Sequence, residues 1–146
     1  MKSVFESATQ KELLERINSL EASSLAQWGK MNVAQMMRHC AKWDEMALGK
    51  VEYNQSLLGK LVGKFALKNM MKDKPVKKNL PSVPSFIMTG SFDFLQEKAN
   101  WIALIKEYEH ATTDGFIHPF FGKLTKEVAG QMAYKHDDHH LRQFNV

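Results

Sequence analysis

Val128-Ala129-Gly130-Gln131-Met132-Ala133-Tyr134-Lys135-His136-Asp137-Asp138-His139-His140-Leu141-Arg142-Gln143-Phe144 is the stretch on which the reading of this chain turns. It contains no proline, and its apolar residues recur at helical spacing. On a wheel of about 100° per residue, Val128, Met132, Ala129, Ala133 and Phe144 define one apolar arc. His136, Gln143 and His140 fall in the middle of that arc, and Asp138, Arg142 and Lys135 on the opposite side, expected to face solvent. Two imidazoles four residues apart project from the same face of a helix and can share one metal ion. A helix needing only a core face would carry Leu or Ala there, because burying an unpaired imidazole costs a few kcal/mol. Hydrogen bonds to neighbouring helices are the alternative use for such residues.

A third nitrogen donor is available in an earlier helix. Asn32 and Gln35 form an Asn-x-x-Gln cap, followed by the apolar stripe Val33, Met36, Met37, Cys40, Trp43 and Ala47. His39 lies beside that stripe, next to Met36, Trp43 and Met46. Alone it reads as a packed residue at the core edge. With two histidines on a neighbouring helix, it completes three neutral nitrogen donors for a zinc-like ion with an open fourth position. The ion is then expected between these two helices, near one end, where the loop Glu21–Met31 would shape access.

Length and composition bound the rest. A chain of 146 residues with 44% hydrophobic and 25% charged residues suits one soluble globular domain spanning 1–146. Cys40 is the lone cysteine, so no intramolecular disulfide forms and a reducing cytoplasm is the expected home. Met1–Gln10 lacks the apolar core of a signal peptide, and no run reaches the ~20 apolar residues of a transmembrane helix.

The net charge is +4, and Lys60, Lys64, Lys68 and Lys72 repeat every four residues, with Lys74, Lys77 and Lys78 following. That repeat predicts a solvated stripe, with Leu57, Leu58, Leu61, Val62 and Phe65 turned to the core. The alternative is an anion-binding surface. No nucleic-acid motif accompanies it, so a nucleic-acid partner is not expected.

Helices are expected over Thr9–Leu20, Asn32–Leu48, about Gln55–Met71, Ser91–Glu109 and from Thr125 onward, with a proline-bearing connection over Asp73–Thr89. Thr112–Gly122 reads as an aromatic-rich loop. No segment alternates convincingly with period two, so a sheet is not expected. The fold class is all-α: a four-helix bundle with an additional short helix or loop elements.

Two blocks carry a family resemblance. His136-x-x-x-His140-x-x-Gln143 resembles the last-helix motif of the DinB/YfiT-like superfamily. Trp28-Gly29-Lys30-Met31-Asn32-Val33-Ala34-Gln35-Met36-Met37-Arg38-His39 resembles its second-helix signature, and His118-Pro119-Phe120-Phe121-Gly122-Lys123-Leu124-Thr125 is similar to one branch of unknown function. The resemblance covers most of the chain. It implies a DinB-like four-helix bundle binding a divalent metal ion (zinc, nickel or iron-like) through His39, His136 and His140. It further implies a metal-dependent enzyme acting on a small-molecule substrate, with a low-molecular-weight thiol as cofactor for transfer to a small electrophile. A metal-dependent hydrolase and a non-catalytic binding module with structural histidines are the alternatives, and a homodimer stays open.

The remaining candidates have modest expectations. His139 sits at the arc's edge as a substitute ligand, and Gln143 could orient a ligand or cap a carbonyl. The loop of His118 is expected to pack against the last helix, with covering of the metal mouth as the alternative, and His110 to serve a helix end. Trp43 and Trp101 are expected in the core. Glu45, Asp137 and Asp138 point away from the ligand arc, which leaves no evident general base.

Overall fold

Asn32 caps its helix as the sequence predicts: its side chain accepts from the Gln35 amide at 2.9 Å, while Gln35 Oε1 accepts from the Asn32 amide at 3.0 Å. The computed structural model describes residues 1–146. Its helices are α1 (Ser7–Ser19), α2 (Val33–Ala47), α3 (Leu57–Met70), α4 (Phe94–Glu107) and α5 (Lys126–Gln143). Ser56, Asp93 and Thr125 cap α3, α4 and α5 through side-chain oxygens. Gly49, at φ +74°, takes the left-handed turn that ends α2.

α1, α2, α4 and α5 pack on one another around a single core. Leu13 and Ile17 from α1, Met36 and Met37 from α2, Trp101 and Ile105 from α4, and Met132 and Leu141 from α5 are all buried in it. Each such side chain contributes about 1.5–3 kcal/mol by leaving water. α2 lies against both α4 and α5, so whatever it shares with α5 sits deep in the molecule.

Three expectations need correction. First, the structure is mostly helical but not all-α. β1 (Gly115–His118) and β2 (Gly122–Thr125) form an antiparallel hairpin inside the expected loop, with Phe116 opposite Leu124 and His118 opposite Gly122. β2 follows its hydropathy, with Lys123 and Thr125 out and Leu124 in, but β1 reverses it, with Ile117 out and His118 in. Hydrophobic periodicity could not reveal β1, and β2 alone is too short to stand out.

Second, the apolar side of α3 does not reach the core. Leu57, Leu61 and Phe65 are 80%, 83% and 72% exposed. What α3 turns inward is Gly59 and Gly63, where an added Cβ would overlap the Phe120 backbone. Third, Lys135 is buried, not solvated. Its ammonium donates to the carbonyls of Lys72 and Lys74 at 2.7 and 2.9 Å, so the chain leaving α3 covers that side of α5.

Candidate metal centre

The α2 stripe and the α5 arc face each other, and they bring His39, His136 and His140 together. One ring nitrogen from each lies within 4.8 Å of the others. His39 Nε2 and His136 Nε2 are 2.9 Å apart. Two nitrogens bound to one tetrahedral ion at ~2.1 Å would lie ~3.4 Å apart, so a small opening of the trio admits it.

The outward nitrogens fix which atoms face inward. His39 Nδ1 is 2.8 Å from the Phe86 carbonyl oxygen, which can only accept, so Nδ1 carries the proton and Nε2 a lone pair. His140 Nδ1 is 2.8 Å from Gln143 Oε1. The Gln143 amide nitrogen in turn donates to the Trp28 carbonyl at 2.6 Å, which settles the orientation of that amide. His140 Nε2 therefore also presents a lone pair.

His136 is the open member. Its Nδ1 is buried without a hydrogen-bond partner, 3.5 Å from Asp137 Oδ1. Two lone pairs cannot face each other at the 2.9 Å separating His39 Nε2 from His136 Nε2, so that gap holds a proton or a cation. Burial sets the charge: it lowers all three imidazole pKa values, carrying His140 to about 3, and neighbouring imidazoles push His136 and His140 the same way. The donor set is three neutral imidazoles, and it fits a divalent ion.

The walls come from four elements. Trp43 stacks on His136, with ring centroids 4.9 Å apart and planes at 19°. Phe86 packs edge-on to His39. Trp28 and Gly29, in the loop before α2, lie over Gln143, where a Cβ at Gly29 would collide with its amide. The loop Glu21–Met31 thus reaches this end, as expected. The expected opening is another matter. Two cavities, of about 430 and 320 Å³, open elsewhere, one beside Leu48 and Glu107 and the other beside Lys74 and Arg142. His39 and His140 are 4% and 8% exposed, so side chains largely cover the trio.

The other histidines separate from it. His139 lies against the Trp28 ring at 5.5 Å, and His110 stays on the surface beside Glu109. His118 packs on Trp43 of α2 and on Phe121. Its Nδ1 accepts from the Phe120 and Phe121 amides at 3.0 and 3.1 Å, and burial holds its pKa down to about 3. Trp101 and Trp43 are both core, as predicted, and Trp43 also walls the site.

Two features were missed. The first is Phe86, in a 3₁₀ turn (Pro84–Phe86) within the proline-bearing connection, whose carbonyl locks His39. No spacing in the sequence links it to α2. The second is a pair of fully buried carboxyls, Asp44 and Asp137. Asp44 Oδ1 accepts from the Tyr108 hydroxyl at 2.6 Å and Oδ2 from Trp101 Nε1 at 2.9 Å. Burial nevertheless raises its pKa to about 7. Burial, then the charge of Asp44, raises Asp137 well above the usual carboxylate range, and neither Asp137 oxygen has a hydrogen-bond partner. A signal for Asp44 existed: it falls one turn after Cys40, inside the apolar stripe. Cys40 Sγ also lies within 4.8 Å of His136 and Asp137. Burial pushes its pKa up and keeps it a thiol.

A family model described as "Protein of unknown function (DUF1569)" matches residues 4–146. No curated protein and no solved structure gives a match.

Proposed function

We propose that this chain, which belongs to the DUF1569 family of proteins of unknown function, binds one zinc-, nickel- or iron-like ion through His39, His136 and His140 and serves as a metal-dependent enzyme of the DinB/YfiT-like kind. The observation that carries the reading is the locking of two imidazoles by carbonyl oxygens on their outer nitrogens, which turns their lone pairs toward a third imidazole. A bound divalent ion supplies Lewis acidity and lowers the pKa of a coordinated water or thiol by several units.

The protein's own residues supply the frame. Phe86 and Gln143 fix two ring orientations, Trp43 shields the third, and Asp137 stands ready to accept from His136 Nδ1. The carboxyl beside the trio is Asp137, and burial raises its pKa well above the usual carboxylate range, which makes it a poor ready general base. A low-molecular-weight thiol brings its own nucleophile, and this favours thiol transfer to a small electrophile over hydrolysis.

Elemental analysis and equilibrium dialysis test the site. One ion per chain is expected in the purified protein, none in His136→Ala/His140→Ala, and much weaker binding in His39→Ala. A stoichiometric ion surviving in the double variant overturns the assignment. For the activity, a thiol and chlorodinitrobenzene should react faster with the metal-loaded protein than with the double variant. Equal rates remove the transfer reading.

The covering of the trio favours a second reading, a structural ion in a binding module. That reading expects chelation to lower the melting temperature greatly and the bound ion to accept no external ligand. A catalytic ion leaves the apo protein folded, with the ordinary ligand-linked loss of about 3 kcal/mol when free metal stood at a hundred times its Kd.

A further inference from the structure

α3 is an amphipathic helix whose apolar side has nothing on it. Leu57, Leu58, Leu61, Val62 and Phe65 are 80%, 62%, 83%, 43% and 72% exposed. On the wheel they form one continuous face of about 140°. Single exposed apolar residues are ordinary on a protein surface, but five on one face of one helix mark a contact region. The way α3 is seated explains why the face stays outward. Its inner side is Gly59 and Gly63, laid flat on the backbone at Phe120, with Leu67 and Met70 partly buried behind.

Charge decides what covers this face. Between Glu52 and Asp73 the chain has four lysines and no acidic residue. Lys60 and Lys64 run along one edge of the apolar face, and Lys68 and Lys72 lie across its C-terminal end, all exposed. Packing α3 against the same helix of a second copy would bring eight lysines together around a small apolar contact. No helix of the chain is long and apolar enough to cross a membrane. Lying in the interface is a different matter: a short cationic helix with Leu, Val and Phe on one side suits it, its apolar face among the acyl chains and its ammonium groups among the phosphates.

We propose that α3 is a docking surface for an anionic lipid bilayer. Leu57, Leu58, Leu61, Val62 and Phe65 enter the interface, and Lys60, Lys64, Lys68 and Lys72 bind headgroup phosphates. This surface is independent of the metal centre, because none of its residues touches His39, His136 or His140.

Flotation of the whole protein with vesicles tests it. Phosphatidylcholine vesicles containing phosphatidylglycerol should bind the protein at least about tenfold more tightly than phosphatidylcholine alone, and added salt should reverse this. A Lys60→Gln/Lys64→Gln/Lys68→Gln/Lys72→Gln variant and a Leu61→Ser/Phe65→Ser variant should each lose at least about tenfold in binding. All the replaced side chains are exposed, so both variants should keep the wild-type melting temperature and metal content. Equal binding to both vesicle types, or undiminished binding by either variant, overturns the proposal. So does a dimer in light scattering that Leu61→Ser/Phe65→Ser converts to monomer, since a second copy then covers the face.

Discussion

Two buried polar clusters share α2, one built with Trp101 of α4 and Tyr108 just after it, the other with α5, and they follow opposite plans. In one, Asp44 has an O–H and an N–H donor aimed inward at its carboxyl oxygens, so the group is closed on every side that matters. In the other, carbonyl oxygens satisfy His39 and His140 from outside, and the unsatisfied lone pairs point at each other. A closed cluster is finished by the protein alone. An inward-facing one needs a proton or cation at its centre. Asp137 belongs to neither plan: it is fully buried, it has no partner, and it lies 3.5 Å from His136 Nδ1, itself buried without a partner.

The comparison can be broken most forcefully at the closed cluster. Asp44→Ala strands the Trp101 N–H and the Tyr108 hydroxyl in the core, and should cost about 3–5 kcal/mol in urea unfolding. A loss under 1 kcal/mol would mean that the cluster is not the finished unit described here.

Asp137→Asn tests the residue between the clusters. If Asp137 orients His136 on an ion, the variant should bind metal about 10–100-fold more weakly in competition titrations with a chromogenic chelator. Unchanged affinity would leave Asp137 a purely internal carboxyl.

The buried histidines and Asp44 should also respond to pH in opposite directions. His118 and His140 are held near 3 in the folded apo protein, against 6.5 for the free group. Below pH 6.5 the unfolded chain takes up protons that the folded one refuses, so their neutral burial costs stability as pH falls. Asp44 is raised from 3.8 to about 7. The folded state keeps a proton that the unfolded chain has lost, so this group costs stability as pH rises from about 4 to 7. Each histidine should take away, and Asp44 return, on the order of 2 kcal/mol between pH 7 and 5. Wild-type apo protein should lose stability from pH 7 to 5, and Asp44→Asn should show a melting temperature falling more steeply toward acid. Parallel profiles would remove the opposition.

The smallest effect belongs to the outer lock on His140. Gln143→Ala leaves the Trp28 carbonyl and His140 Nδ1 unpaired and should cost about 1 kcal/mol in thermal unfolding. Gln143→Glu should recover part of it, since a carboxylate still accepts from Nδ1.

The sequence carried the trio because helix geometry is local. A four-residue interval places His136 and His140 on one face whatever surrounds them, and the Asn32–Gln35 cap sets where α2 begins. The shared arc also placed Gln143 beside His140, where it now holds the ring. Phe86, Lys135 and Asp137 were not legible, because each takes its role from segments far away in the chain. A backbone carbonyl has no side-chain signature, and Lys135 is buried only because the Lys72–Lys74 segment crosses over it.

α3 and α5 mark the boundary between what sequence determines and what packing decides. Both are helices because their local propensities and caps make them so, and both carry an apolar face that the sequence displays. Which face is buried is not local. α5 is enclosed by α1, α2 and the hairpin and crossed by the Lys72–Lys74 segment, so its buried surface spreads past the apolar arc to take in Lys135 and Asp137. α3 meets the rest of the protein through two glycines, because only a side without Cβ atoms can approach the Phe120 backbone so closely. The chain by itself determined its helices and the ligand spacing on them. Only the tertiary structure decided which neighbours each face would meet, since burial is a property of the surface opposite.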